Sequence, residues 1–390
     1  MIKAITAYTN EVDDVEVAVQ EILEQLDMDN NLLKNTVGTL ICYSEFIDST
    51  VVSSICESLP FEVVGTTTLL NAVPESSGTM LLTLMALTSD DVYFSVGLTE
   101  AIESEDDTPL RAGYEAAKAK LPGKPVLILS FAPLLMNVGG DFYVDAVNEI
   151  SGGVPNFGTI SIDHNDDYHE ARIIHNGESY VDRYAFVLVS GNVQPRFFIG
   201  SISSEKIFQE KGIVTASHSN QLLTVNNIPV VDYLQTLGLN KNEDGTITGI
   251  NSFPFIVDYN DGTTPVVRVM FALTPEGYAV CGGNIPVGAI LSVGSIDADE
   301  IIATTTARLT DALAVGKSDC FLMFSCAGRY FSLGYNPDSE IDKVQSLMQN
   351  TGIPYQFAYS GGELCPVYTK DEMGVTTNRN HNDTYVICVL

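Results

Sequence analysis

The sequence predicts an α/β protein of two packed α/β domains, with mixed sheets flanked by helices and a β-rich stretch between them. Three observations carry that expectation. The chain has 390 residues, more than the ~250–300 at which single hydrophobic cores stop growing. Apolar strand-like runs alternate with amphipathic helical stretches in both halves. From about Ala171 this habit gives way to period-two strands, and no low-complexity linker separates the halves. The domains are accordingly placed at residues 1–200 and 201–390, with the ligand cleft between them.

The first half opens with the strand "IKAITAYT" and the helix "EVDDVEVAVQEILEQL", whose Val15, Ala18 or Val19, Ile22 and Leu26 form one stripe, with Asn10 as its cap. "TVGTLICYS" reads as a buried strand, "STVVSSICESL" as a helix and "FEVVGTTT" as a third strand. "TMLLTLMALTSDDVYFSVGL" reads as a hairpin, followed by helix "TPLRAGYEAAKAKL", strand "PVLILSFAP", helix "DFYVDAVNEI" and strand "VPNFGTISI". Such alternation predicts a largely parallel sheet covered on both faces. Asn176-Gly177 supplies hairpin turn chemistry in the β-rich stretch. The second unit runs through "QLLTVNNIPVVDYLQTLGL" and strands near 264–293 before the α/β pattern returns. There, helix "DADEIIATTTARLTDALAVG" and strand "DCFLMFSC" precede helix "DSEIDKVQSLMQN" and strand "YQFAYS".

Composition narrows the function. A net charge of −31 repels phosphate backbones, and no basic patch with interleaved aromatics offsets it, so nucleic acid is not an expected partner. No apolar run reaches the ~18–20 residues that cross a bilayer, and the N-terminus lacks signal-peptide regions; membrane insertion is not expected and the chain reads as cytoplasmic. The seven cysteines are odd in number, dispersed and mostly within apolar runs, which suits reduced buried thiols. No CxxC pair, GxGxxG or Lys-Ser/Thr-closed phosphate loop occurs, so neither a metal nor a cofactor is expected. "DHNDDYHE" at 163–170 reads as a solvated loop, and "NKNEDGTITGIN" at 240–251 as a hairpin turn at Asp244-Gly245. The latter lacks two carboxylates that a calcium loop would use.

"FLMFSCAGRYFSLG" at 321–334 places Cys326 three residues before Arg329 where a strand meets a glycine. Three readings stand. Cys326 is the nucleophile of an amidohydrolase or transferase; Cys326 and Arg329 belong to a ligand grip; or the segment is a strand end with a buried thiol. Phe324 stands where a nucleophile elbow needs a small residue, and the five histidines fall in no familiar cysteine-hydrolase order. Other strand ends share a layout of glycine followed by small polar residues: "VVGTTT" with Thr66 and Thr67, "NFGTISID" with Gly158 and Asp163, "AYSGGEL" with Glu363, and "NHNDT" with Asn382 and Thr384. At such ends of an open sheet, backbone N–H groups and short side chains face a crevice.

In these five segments the chain resembles the FIST proteins, with N-terminal and C-terminal domains covering nearly its whole length. "FSCAGR", "SGGEL" and "HNDT" are similar, in order, to the Ser-Cys-x-Gly-Arg, Gly-Glu and Asn-x-Thr elements of the C-domain. "VVGTTT" and "NFGTISID" resemble the N-domain patterns, with Thr159 and Ile160 departing from the commoner small residues. The resemblance implies a bacterial-type sensory module for small molecules, amino acids or their relatives. With no output domain expected to follow, signalling would run through a partner protein in trans or through a change in the chain's own assembly. Arg329 would make a forked contact with a ligand carboxylate and Glu363 would meet an ammonium group, with Asn382 and Thr384 adding neutral hydrogen bonds. An internal Arg329–Glu363 salt bridge is the structural alternative.

Overall fold

The computed structural model describes residues 1–165, 168–240, 242, 247–369 and 376–390. Among them, three six-stranded sheets carry the α/β part. The first runs in spatial order Lys3–Thr9, Leu82–Ser89, Asn35–Cys42, Val63–Thr67, Ile173–His175 and Glu178–Tyr180. The second runs Thr376–His381, Glu363–Tyr368, Asn156–Ile160, Pro125–Ala132, Ala185–Gly191 and Val92–Leu98. In the third, the order is Arg196–Gly200, Tyr385–Val389, Phe321–Cys326, Tyr355–Ser360, Asn71–Val73 and Ser76–Gly78. An eight-stranded sheet built from residues 212–293 has its own core around Val225, Leu234, Phe255 and Leu291.

The sheets are mixed, not largely parallel. Among the described residues, parallel pairing is confined to Asn35–Cys42 with Val63–Thr67, Pro125–Ala132 with Asn156–Ile160, and Phe321–Cys326 with Tyr355–Ser360. Each pair flanks a helical crossover, and the antiparallel neighbours come from elsewhere in the chain. The expected hairpin at 79–98 does not form. Leu82–Ser89 has both edges occupied, by Lys3–Thr9 and Asn35–Cys42, so Val92–Leu98 leaves for the second sheet and pairs with Ala185–Gly191. The first long helix, Val15–Leu26, buries Ala18, Ile22 and Leu26, but its cap is Asp14, which accepts from Val17 N. Asn10 instead donates its amide to the Met80 carbonyl at 2.7 Å. Asn176 and Gly177, both at positive φ, do close the short Ile173–Tyr180 hairpin.

The two halves exchange strands. Asn71–Val73, from the first half, pairs with Tyr355–Ser360 of the second, and Glu363–Tyr368, from the second, pairs with Asn156–Ile160 of the first. The chain crosses between the second and third sheets at 191–196, 360–363 and 381–385, and the last two crossings lie together. One apolar core spans all three sheets through Ile41, Val64, Phe157, Val187, Phe324 and Val386. Phe157 stacks on Phe324 with centroids 5.4 Å apart. The bulky Phe324, unwelcome in a nucleophile elbow, is thus a core residue joining sheets. No helix among the described residues is long and apolar enough to cross a membrane.

Candidate functional site

Cys326 is the last residue of its strand, and its backbone N–H donates to the Thr384 carbonyl at 2.9 Å. The short helix Ala327–Ser332 follows directly. The crossings at 360–363 and 381–385 converge here. From 360–363 comes Glu363, and from 381–385 come Asp383 and Thr384; Thr384 Oγ1 donates to Glu363 Oε2 at 2.6 Å. Asp383 holds a left-handed backbone at φ 49°, a conformation open to Asp and Asn, and its Oδ1 lies against Gly328. A Cβ at that glycine would come within 2.2 Å of the Asp383 oxygen. Beside them, Thr159 Oγ1 donates to Ser360 Oγ at 2.8 Å, and Ser360 donates to the Gly362 carbonyl at 2.6 Å.

The electrostatics of this group are unusual. Cys326, Glu363 and Asp383 are all buried, and Glu363 Oε1 and Asp383 Oδ2 have no hydrogen-bond partner. Burial pushes the Asp383 carboxyl up to about 7, against the opposing pull of Arg329. Burial also raises Glu363 well above the usual carboxylate range; the Thr384 hydrogen bond pulls it down and the neighbouring Asp383 adds to the rise. The Cys326 thiol is driven up by burial and then by Glu363 and Asp383, with the N–H groups of Gly328 and Asp383 acting the other way. With no free counter-ion, burial thus favours the protonated form of all three groups.

Arg329 serves a different partner from the one expected. Its guanidinium is fully buried and donates to Glu340 Oε1 at 2.7 and 3.1 Å, to Thr304 and Thr305, and to the Ile301 carbonyl. Glu340 also accepts from Ser325, Thr305 and Tyr359. The Arg329–Glu363 salt bridge does not occur, because helix Ser339–Met348 delivers the Glu340 carboxylate, whose Oε1 accepts from both Nε and Nη2 of the guanidinium. Ser325 and Arg329, on either side of Cys326, therefore both build the Glu340 network.

The remaining expected site residues disperse. Asn382 Nδ2 donates to the His381 carbonyl, and its Oδ1, without a partner, lies against Gly282, just past strand Ala279–Cys281 of the eight-stranded sheet. Thr66 and Thr67 direct their hydroxyls to the Arg172 carbonyl. Gly158 permits close strand approach, since a Cβ there would meet the Ser130 carbonyl oxygen at 2.0 Å; Gly65 stands in the same relation to Leu40. Asp163 is buried and accepts from Asn165 N, with Oδ2 unpartnered and its carboxyl raised chiefly by burial. In the acidic loop around it, His164 packs edge-on against Tyr43, while Asp166 and Asp167 lie outside the described residues. So do Lys241 and Glu243 through Thr246, which contain the expected Asp244-Gly245 turn. Sequence reasoning passed over Asp383, Ser360, Thr159 and Glu340. Asp383 sat inside the quoted "NHNDT" and Ser360 inside "AYSGGEL", so the signal was present there, whereas nothing local marks Glu340.

Two family patterns match the chain: the FIST N domain over residues 36–228 and the FIST C domain over residues 231–366. No curated protein matches it. FIST domains are sensory domains of signal transduction. The two consecutive matches, which together cover most of the chain, show that it belongs to the FIST family.

Proposed function

We infer that the chain senses a small molecule, an amino acid or a relative, at the meeting point of the two crossings, and passes the signal to a partner protein in trans. One observation carries this reading: Glu363 Oε1 and Asp383 Oδ2 are buried without partners beside Cys326. Buried polar oxygens are normally satisfied, and leaving one unpaired costs about 1–3 kcal/mol, which a ligand's donors would recover. Thr384 holds Glu363 in place, Cys326 lines the site, and Arg329 contributes its field from the Glu340 side. Cys326 is 6% exposed and Asp383 1%, so a ligand enters only when the turn at 381–385 or helix Ala327–Ser332 moves. Such a two-state closure is what a sensor needs. A thiol held protonated by burial and two acids is a poor nucleophile, which weighs against cysteine-dependent hydrolysis.

A thermal-shift screen of amino acids and small carboxylates tests the reading, since binding at a hundredfold excess over Kd stabilises the native state by about 2.7 kcal/mol. Stabilisation by an unconverted compound, lost in Glu363→Gln, is the expected result. Conversion of the compound, or a covalent adduct on Cys326, would overturn it.

A further inference from the structure

The charge balance of the site says more about the ligand than its membership in a sensory family does. Arg329, the only arginine among the groups acting on Asp383 and Glu363, is already paired with Glu340 at 2.7 Å. That leaves Glu363 and Asp383 facing one another and the neutral Cys326 with no cation of their own, each with an oxygen that meets no donor. His381, adjacent in sequence, cannot supply the charge. Its Nε2 lies 3.0 Å from the Cys365 carbonyl, and burial holds the ring neutral, down to about 3.

We propose, resting on the sensing site inferred above, that the Glu363–Asp383 pair receives the positive end of a net-cationic primary amine in preference to a zwitterion or an anion. An ammonium group brings three N–H donors, enough to satisfy both stranded oxygens and still contact Cys326 or the crossing backbone. A ligand carboxylate would find no free guanidinium opposite it, because Arg329 could turn to it only by abandoning Glu340. Burial favours the protonated form of both carboxyls, and an arriving ammonium group stabilises their ionised forms, so binding releases protons to solvent. The groups facing the pair are Cys326, Thr384, Ser360 and the Arg329 guanidinium; burial drives the thiol further up, and Asp383, raised to about 7, is the member of the pair that loses a proton near neutrality.

The test uses the full chain with methylamine, ethanolamine, putrescine, glycine and acetate as probes. Melting temperature is followed alongside proton release into weakly buffered solution containing a pH indicator. The amines without a carboxylate are expected to raise the melting temperature and acidify the solution, glycine to do so more weakly, and acetate to do neither. Glu363→Gln and Asp383→Asn, neutral isosteres of the protonated forms that burial favours, are expected to keep the fold, release fewer protons and bind amines at least tenfold more weakly. Stabilisation by acetate that Glu363→Gln abolishes would overturn the cation preference while leaving the sensing site standing. Amine binding unchanged in both variants, or no response to any probe, would overturn the cation site itself.

Discussion

Thr384 Oγ1 donates to Glu363 Oε2 across 2.6 Å, and that hydrogen bond ties the chain's passages between the second and third sheets at 360–363 and 381–385 to one another. The bond is buried, so its removal exposes nothing to water that could substitute for the lost donor. Thr384→Val should lower stability by about 1–3 kcal/mol, read as an earlier urea midpoint at unchanged slope, and Thr384→Ser should restore most of it. Equal loss in both variants would mean that the methyl packing matters and the hydroxyl does not.

The Arg329–Glu340 pair makes a separate prediction. Both side chains are fully buried, and removing one partner strands the other's charge at a cost of about 3–5 kcal/mol. Arg329→Met and Glu340→Met should each melt far earlier than the parent, while the double variant recovers much of the difference. Arg329→Lys loses the fork and should melt earlier as well, yet bind amines with nearly parental affinity where it is folded. A tenfold loss of affinity in folded Arg329→Lys would return Arg329 to the ligand.

Asp383 gives the stability curve a pH signature. Its folded value is raised from 3.8 to about 7, so the protonated form is the one the fold favours. The contribution is complete below the unfolded value and disappears as pH rises through the folded value. Between pH ~4 and ~7 the parent should therefore lose up to about 4 kcal/mol that Asp383→Asn retains. Urea unfolding of both proteins at several pH values measures this, and parallel curves would contradict it.

Exchange of strands makes the halves interdependent. A fragment of residues 1–200 lacks Glu363–Tyr368 beside Asn156–Ile160, and a fragment of 201–390 lacks Asn71–Val73 beside Tyr355–Ser360. Each would leave a buried strand edge unpaired. Neither fragment should give dispersed amide NMR spectra alone, whereas co-expression should yield a folded complex; a folded 201–390 fragment would refute this.

The sequence was readable where periodicity is local. The stripe Ala18, Ile22, Leu26 and the Asn176-Gly177 turn follow from spacing and turn chemistry alone. Small polar residues at strand ends marked Cys326, "SGGEL" and "NHNDT", and the fold brings these segments together in a buried cluster. Three features escaped because they depend on distant pairing. Leu82–Ser89 and Val92–Leu98 look like a hairpin until the neighbours of each strand are known. Glu340 reads as one more acidic residue on a helix, although it lies against Arg329 and Ser325. Asp383 was overshadowed by its neighbours Asn382 and Thr384, and its burial arises only when the 381–385 crossing folds against Gly328.

The most direct measurement is a crystal structure of the full chain grown with the amine that most raises its melting temperature. The account predicts electron density for the ammonium group between Glu363 and Asp383, in contact with both oxygens that now lack partners, with Arg329 still on Glu340. Density for the amine elsewhere, with those two oxygens unchanged, would contradict it.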